Sequence, residues 1–207
     1  MRRETQVEVT GPAPPSSGTV SDAGPSPRYI IDPKVSRFTV QAFVGGMLSA
    51  FGHNPKFVAR DFTGEVTFSP DAPDEASLTM RMRAASLTLV DEVSEGDRRT
   101  IERTMHDEVL EDSRFSEIVY HCPKASARPV GAGQFEVALN GELTLHGVTR
   151  PKPITAKLSV TGTLLRAFGE FTVRQSDYDI KPVSVAGGSM KVKDELNCTF
   201  DISARRQ

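Results

Sequence analysis

From Arg28 onward, apolar and polar residues alternate with period two along most of the chain. "SRFTVQAFV" sets Phe38, Val40, Ala42 and Val44 on one face, against Arg37, Thr39 and Gln41. "SLTMRMRA" sets Leu78, Met80 and Met82 against Thr79, Arg81 and Arg83. "IVYHC" aligns Ile118, Tyr120 and Cys122. The cleanest stretch is "FEVALNGELTL", with Phe135, Val137, Leu139, Leu143 and Leu145 opposed by Glu136, Asn140, Glu142 and Thr144. "ITAKLSV" (Ile154, Ala156, Leu158, Val160) and "ELNCTFDIS" (Leu196, Cys198, Phe200, Ile202) repeat the pattern. Successive strand side chains point to opposite faces, so each stretch predicts a strand with one apolar and one wet face. Such strands are antiparallel.

Two segments break parity. Phe57 is out of step with Phe62, Val66 and Phe68, which predicts a bulge near Arg60 or Asp61. "LLRAFGEFTVR" is mixed, and Gly169 is the expected bulge or bend there. One stretch has helical spacing: "RRTIERTMHDEVL" puts Ile101, Met105 and Val109 four apart, with Asp97 as the expected N-cap. A shorter turn is expected in "DYDIKPV". About eight strands and one amphipathic helix, with no βαβ alternation, predict an all-β sandwich or closed antiparallel barrel. Eight strands can enclose packed side chains or one small ligand.

Residues 1–27 lack any period and hold Pro12, Pro14, Pro15, Pro25 and Pro27 among Gly, Ser and Thr. That composition buries too little to order itself. It reads as a disordered leader ahead of one domain over residues 28–207. Arg2 and Arg3 have no apolar run behind them, so no secretion signal is expected and the cytoplasm is the default location. No apolar run approaches the ~20 residues of a membrane-spanning helix. The formal net charge is −2, with bases and acids interleaved, so no basic field points to nucleic acid. Three tyrosines and no tryptophan offer no stacking platform for single strands. Cys122 and Cys198 form no metal-ligand pair, and both fall on apolar parity as small core residues. Nothing in the sequence decides between a monomer and a homodimer.

The histidines are the candidates for chemistry. His146 closes a strand ahead of Gly147, Thr149 and Pro151, and reads as the end of a hairpin. His53 lies in the loop "AFGHNP", where it can cap backbone, meet a ligand head group or act as a base. Met47, Leu48 and Phe51 make that loop apolar enough to serve as a lid or as a plug. His106 sits four residues after Glu102 on the helix, the spacing of a solvated pair. His121 has the polar parity of its strand. "VGAGQF" is a turn without the strand-to-helix context of a nucleotide loop, and "SPDAPDEAS" is a turn around Asp71 and Asp74. No pattern nominates a metal site, a cofactor or a nucleophile.

"GELTLHGVTRPKPI" resembles the G-x-L-T-x-H-G-x-T-[KR]-P hallmark of the YceI-like family. In chain order, "YIIDPKVSRFTVQAF" is similar to its opening strand and "RTMHDEVLEDSRFSEIVYHCP" to its helix and next strand. "FTVRQSDYDIKPVSVAGGSMKVKDELNCTFDISA" is similar to its R-x-D-[FY]-G-I ending. The resemblance spans Arg28 to Ala204. Val35 stands where the family's opening motif has histidine, and the Gly-His-Asn of "GGMLSAFGHNPKF" is similar to that of some members. The resemblance implies an eight-stranded antiparallel lipocalin-like barrel with a long apolar bore for a polyisoprenoid or quinone-like lipid. Many members are periplasmic or secreted. The ligand-contacting residues would then be the inward Phe38, Val40, Ala42, Val44, Leu78, Met80, Met82, Tyr120, Phe135, Val137, Leu139, Leu158 and Phe200. Met47, Leu48, Phe51 and His53 would sit at the mouth. A lipid carrier is the first reading. An enzyme on a small apolar substrate using His53 is the second, and a ligand-free stress or partner-binding barrel the third.

Overall fold

The alternating stretches form antiparallel strands in the computed structural model, which describes residues 26–45, 54–185 and 190–207. In chain order these are β1 (Arg28–Ile31), β2 (Arg37–Gln41), β3 (Val44–Gly45), β4 (Lys56–Ala59), β5 (Phe62–Thr67), β6 (Ala76–Arg83) and β7 (Leu87–Leu89). Helix α1 (Glu95–Thr104) follows. Then come β8 (Glu117–Gly131), β9 (Gln134–Leu145), β10 (Val148–Thr161), β11 (Leu164–Arg174), β12 (Ser184–Val185), β13 (Met190–Val192) and β14 (Glu195–Arg206).

Eight strands close into a barrel in the order β1-β5-β6-β8-β9-β10-β11-β14, with β14 returning to β1. The bend expected near Arg60 and Asp61 separates β4 from β5. It is one of three adjacent breaks: Asp32–Ser36 separates β1 from β2, and Ala84–Ser86 separates β6 from β7. Backbone bonds stitch the breaks together, Arg60 N–H to Ser86 O (3.1 Å) and Arg83 N–H to Asp61 O (3.0 Å). Beyond the breaks, β2, β4 and β7 continue the wall from β14. A separate three-stranded sheet of β12, β13 and β3 sits where β2 ends.

Three local expectations are corrected. First, Gly169 is not a bulge. Strand β11 pairs in regular register with β10 and β14, and Leu165, Ala167, Gly169, Phe171 and Val173 all take the inward parity. The sequence looked mixed because Phe168 is apolar on the wet face, where it is 54% exposed under the Lys157 ammonium. Second, the helix N-cap is Ser94, not Asp97: the Ser94 hydroxyl accepts the Asp97 N–H (3.1 Å) and donates to its carboxylate (2.6 Å). The cap hydroxyl thus satisfies one of the free N–H groups of the first turn. Third, Glu102 does not pair with His106. Glu102 accepts the Leu89 N–H (2.9 Å), and His106 donates to Asp112 (2.6 Å).

The helical stripe meets the core through its C-terminal end. Residues Met105–Leu110 form a single π turn, and Met105 and Leu110 are buried, while Ile101 and Val109 pack against the same core. The expected short turn is Gln175–Tyr178, slightly earlier than its predicted place. Strand β8 carries a bulge that the sequence reading lacked. Its register with β6 shifts between Cys122 and Ala125, so the inward set changes from Tyr120 and Cys122 to Ala125 and Ala127. Both cysteines are buried free thiols, as their parity indicated, and burial pushes the Cys198 thiol up to about 12.

Gly141 shows how tightly the wall is built. A Cβ there would lie 2.6 Å from the His121 carbonyl oxygen and 2.7 Å from the Tyr120 ring. Gly141→Ala should therefore lower unfolding free energy by about 1–3 kcal/mol through overpacking. Chemical denaturation measures it, and an unchanged midpoint would contradict the contact.

Candidate ligand-binding bore

The inward faces enclose a cavity of about 110 Å³ lined by residues from every strand of the closed barrel. One wall is aromatic. Phe38, Phe171 and Phe200 pack side by side, with Phe171 centroids 6.2 Å from Phe38 and 6.5 Å from Phe200. Gly169 makes that wall possible, since a Cβ there would come within 2.7 Å of the Phe200 ring. Across the barrel, four strands from β11 and three from β14, β6 supplies Leu78, Met80 and Met82. Methionine is unbranched and polarizable, so this wall can change shape at low cost.

The lining is hydrocarbon almost throughout. The one phenol, Tyr120, spends its hydroxyl on the wall: it lies 3.1 Å from the Leu139 carbonyl and 3.0 Å from the Lys152 carbonyl, and accepts the Gly141 N–H at 3.2 Å. Burial raises its pKa further above the ordinary phenol range, so it stays neutral. The inward side chains of Phe38, Val66, Leu78, Met80, Phe171 and Phe200 are nonetheless only partly buried. All six border the cavity, so their uncovered surface is the bore itself.

Nine of the residues predicted from parity line this cavity: Phe38, Leu78, Met80, Met82, Tyr120, Val137, Leu139, Leu158 and Phe200. Four do not. Val40 packs on the core away from the void, and Ala42 is buried just past the end of β2. Val44 leaves the barrel for β3, where it pairs with Val192. Phe135 is buried edge-on against Phe68 (5.0 Å) at the far end. Met47, Leu48, Phe51 and His53 lie outside the described residues. The lining also includes Ile31, Val66, Ile118, Ala167 and Phe171, which the sequence reading did not nominate. Ile118 was already on an inward face. Phe171 and Ala167 were hidden by the false bulge at Gly169.

His146 is a brace outside the bore. It has φ 51°, and the following Gly147 has φ 75°, a conformation that suits glycine. A Cβ at Gly147 would meet the Phe115 ring at 2.6 Å. The His146 Nδ1 donates to the Tyr178 carbonyl (3.2 Å), Nε2 faces Glu111 (3.2 Å), and the imidazole packs on Phe115 (centroids 4.3 Å). The Arg114 guanidinium first, and then the His146 imidazole, hold the Glu111 carboxyl below the usual carboxylate range. His121 is exposed on the outside, bonded to Thr79 (3.0 Å). Among the described residues, no group of three or more His, Cys, Asp or Glu is placed to hold a metal ion. No described helix is long and apolar enough to cross a membrane.

The barrel has known counterparts. BcnA of Burkholderia cenocepacia superposes with TM-score 0.63 at 14% identity, over 84% of this chain and 98% of that one. A polyisoprenoid-binding domain from Saccharophagus degradans, implicated in plant cell wall breakdown, superposes with TM-score 0.60 at 12% identity. That match covers 86% of this chain and 98% of that one. At such identities these matches speak for the fold. No curated protein matches the chain by sequence. The model of the YceI-like domain matches residues 29–204, nearly the whole described barrel with its His-Gly hairpin. The chain belongs to the YceI-like family.

Proposed function

We propose that this protein binds and carries, or sequesters, a long apolar lipid of the isoprenoid class inside the barrel. The observation that carries the reading is the set of inward phenylalanine, leucine and methionine side chains left uncovered around an apolar void. Burying a hydrocarbon tail there is worth about 0.8 kcal/mol per CH₂ before ordering costs. No side chain of the lining offers a charge, and the phenol is already committed to backbone. The bore therefore selects for tails and against polar ends. The isoprenoid class rests on the polyisoprenoid-binding domain that shares the fold.

The void of about 110 Å³ is the size of one small apolar molecule, close to the ~150 Å³ cavities that take up benzene. A long tail therefore requires the bore to widen. Met80, Met82 and Leu78 on one side and the three phenylalanines on the other are the side chains that would turn. Described histidines are engaged with backbone, carboxylates or Thr79, which favours binding over catalysis. Adding a long polyprenol to delipidated protein should raise its melting temperature with the logarithm of ligand concentration. Binding at a hundred times Kd adds about 2.7 kcal/mol. No shift with polyprenol, and none with any long-chain hydrocarbon, would overturn the reading.

A further inference from the structure

We propose that the outer face of β10, β11 and β14 docks the barrel on an anionic membrane surface. The inference concerns the outside of the wall and stands whatever the bore holds. Outward positions of a barrel in water are expected to be polar. On this face three of them, and one residue of the adjoining turn, are apolar. Leu164 and Phe168 share the outward parity of β11, with Arg166 between them. Ile30 of β1 pairs with Arg205, which pairs in turn with Leu164. Val35, in the break after β1, lines a shallow hollow with Leu164, Arg166, Ser203 and Arg205. Val35 is 64% exposed and Phe168 is 54% exposed, so neither is spent on the core.

The charges among these apolar residues are mostly basic. On the same rungs and in the adjoining break lie Lys34, Arg37, Lys157, Arg166 and Arg205, against Asp32 and Asp201. That excess of bases stands in a chain whose formal net charge is −2. The acids are already engaged. Asp201 accepts from Arg166 through both oxygens (3.3 Å each), and Asp32 accepts the Lys34 N–H (3.0 Å). Glu136, the rung neighbour of Lys157, is bridged by Arg128, and Glu65, the rung neighbour of Ile30, by Arg28. Glu170, the next outward residue of β11, marks the limit of the face. The side chains of Lys34, Arg37, Lys157 and Arg205 form no ion pair with a described carboxylate. Lys157 instead reaches over the Phe168 ring, 5.7 Å from its centroid. A ring beside a cation on an apolar stem suits the membrane interface, with the ring among the headgroups and the ammonium at the level of the phosphates. Arg166 and Arg205 flank the apolar pair of the hollow, and a guanidinium meets phosphate oxygens with paired N–H groups. Apolar side chains interspersed with cations differ from the dry apolar centre that a protein partner would need. Lipid headgroups are the better complement.

The test is vesicle co-sedimentation of the full-length chain. One set of vesicles is phosphatidylcholine alone, and the other is equal parts phosphatidylcholine and phosphatidylglycerol. Wild type should bind the mixed vesicles, leave the neutral ones, and bind less as salt rises. Lys157→Glu/Arg205→Glu should weaken binding by about thirtyfold, from the worth of two bases at an anionic surface. Phe168→Ala removes no charge and, being exposed, should fold normally. It should weaken binding by roughly fivefold through the apolar area it no longer inserts. Two controls lie elsewhere on the molecule. Lys124→Glu/Arg103→Glu makes the same charge change on β8 and helix α1, and Val90→Ala trims the exposed valine after β7. Both should stay within about threefold of wild type, because exposed charges beyond a Debye length are largely screened. Should the double reversal not fold, Phe168→Ala and the salt dependence decide the question. No binding by wild type, equal binding to neutral vesicles, or equal losses in the controls would overturn the proposal. So would a concentration-dependent dimer in analytical ultracentrifugation that Phe168→Ala abolishes, since the face would then belong to a second copy of the chain. None of these outcomes bears on what the bore binds, which lipid extraction reads separately.

Discussion

Val137→Trp should yield a folded protein that has lost most of its bound lipid. Val137 sits mid-strand on β9, buried and lining the cavity. Its cross-strand partners are Ala127 and Ala156, both small, so the wall around it is low. An indole placed there can extend over the two alanines into the void. In a fully packed core the same change costs about 1–3 kcal/mol or more, because the added volume displaces neighbours. Here the added volume occupies the path of the ligand tail. The expected outcome is unfolding free energy within about 1 kcal/mol of delipidated wild type, the correct reference because ligand itself stabilises. Co-purifying lipid should fall by roughly tenfold, the loss expected if about two CH₂ groups no longer fit. Denaturant titration and lipid quantification check the two halves separately. Strong destabilisation with no change in lipid would mean that the cavity is not the binding site.

His146→Ala should cost stability and spare binding. The imidazole ties three segments that are remote in sequence: the β9–β10 hairpin, the turn after the helix at Glu111, and Tyr178 in the turn after β11. Truncation removes one bond to a carbonyl, one to a carboxylate and the packing on Phe115, while leaving the left-handed backbone of residue 146 in place. These losses sum to about 3 kcal/mol. For a domain of this size that is a melting temperature lower by about 6–12 °C. Lipid bound per folded molecule should stay near wild type, because His146 does not line the bore. Thermal denaturation and lipid content on the same sample decide it. An unchanged melting temperature would show that the brace carries no load.

The strands were legible where the large apolar residues keep to one parity, as in β9, where Phe135 to Leu145 hold the inward face with only the small Ala138 outward and Gly141 inward. The family hallmark around His146 turned an open choice between sandwich and barrel into one architecture. Parity failed where a large apolar residue stands outward beside an inward glycine. Phe168 and Gly169 are such a pair in β11, and so concealed Phe171, one of the three rings of the aromatic wall. The β8 bulge was illegible because Pro123 and Lys124 look like ordinary strand-end residues. Long-range partners were out of reach for a different reason. Glu102 is four residues from His106, but its closer partner in space is the backbone of Leu89, which only the turn from β7 into the helix brings near. The same holds for His146 and Glu111, 35 residues apart in sequence.

The central claim is that the barrel is hollow for a purpose. Organic-solvent extraction of the purified, natively folded protein, followed by mass spectrometry, tests it most directly. The account predicts a long-chain isoprenoid or similar apolar lipid at close to one molecule per barrel, and a much smaller yield from Val137→Trp. A folded wild type that releases no lipid, and takes none up when polyprenol is supplied, would contradict it.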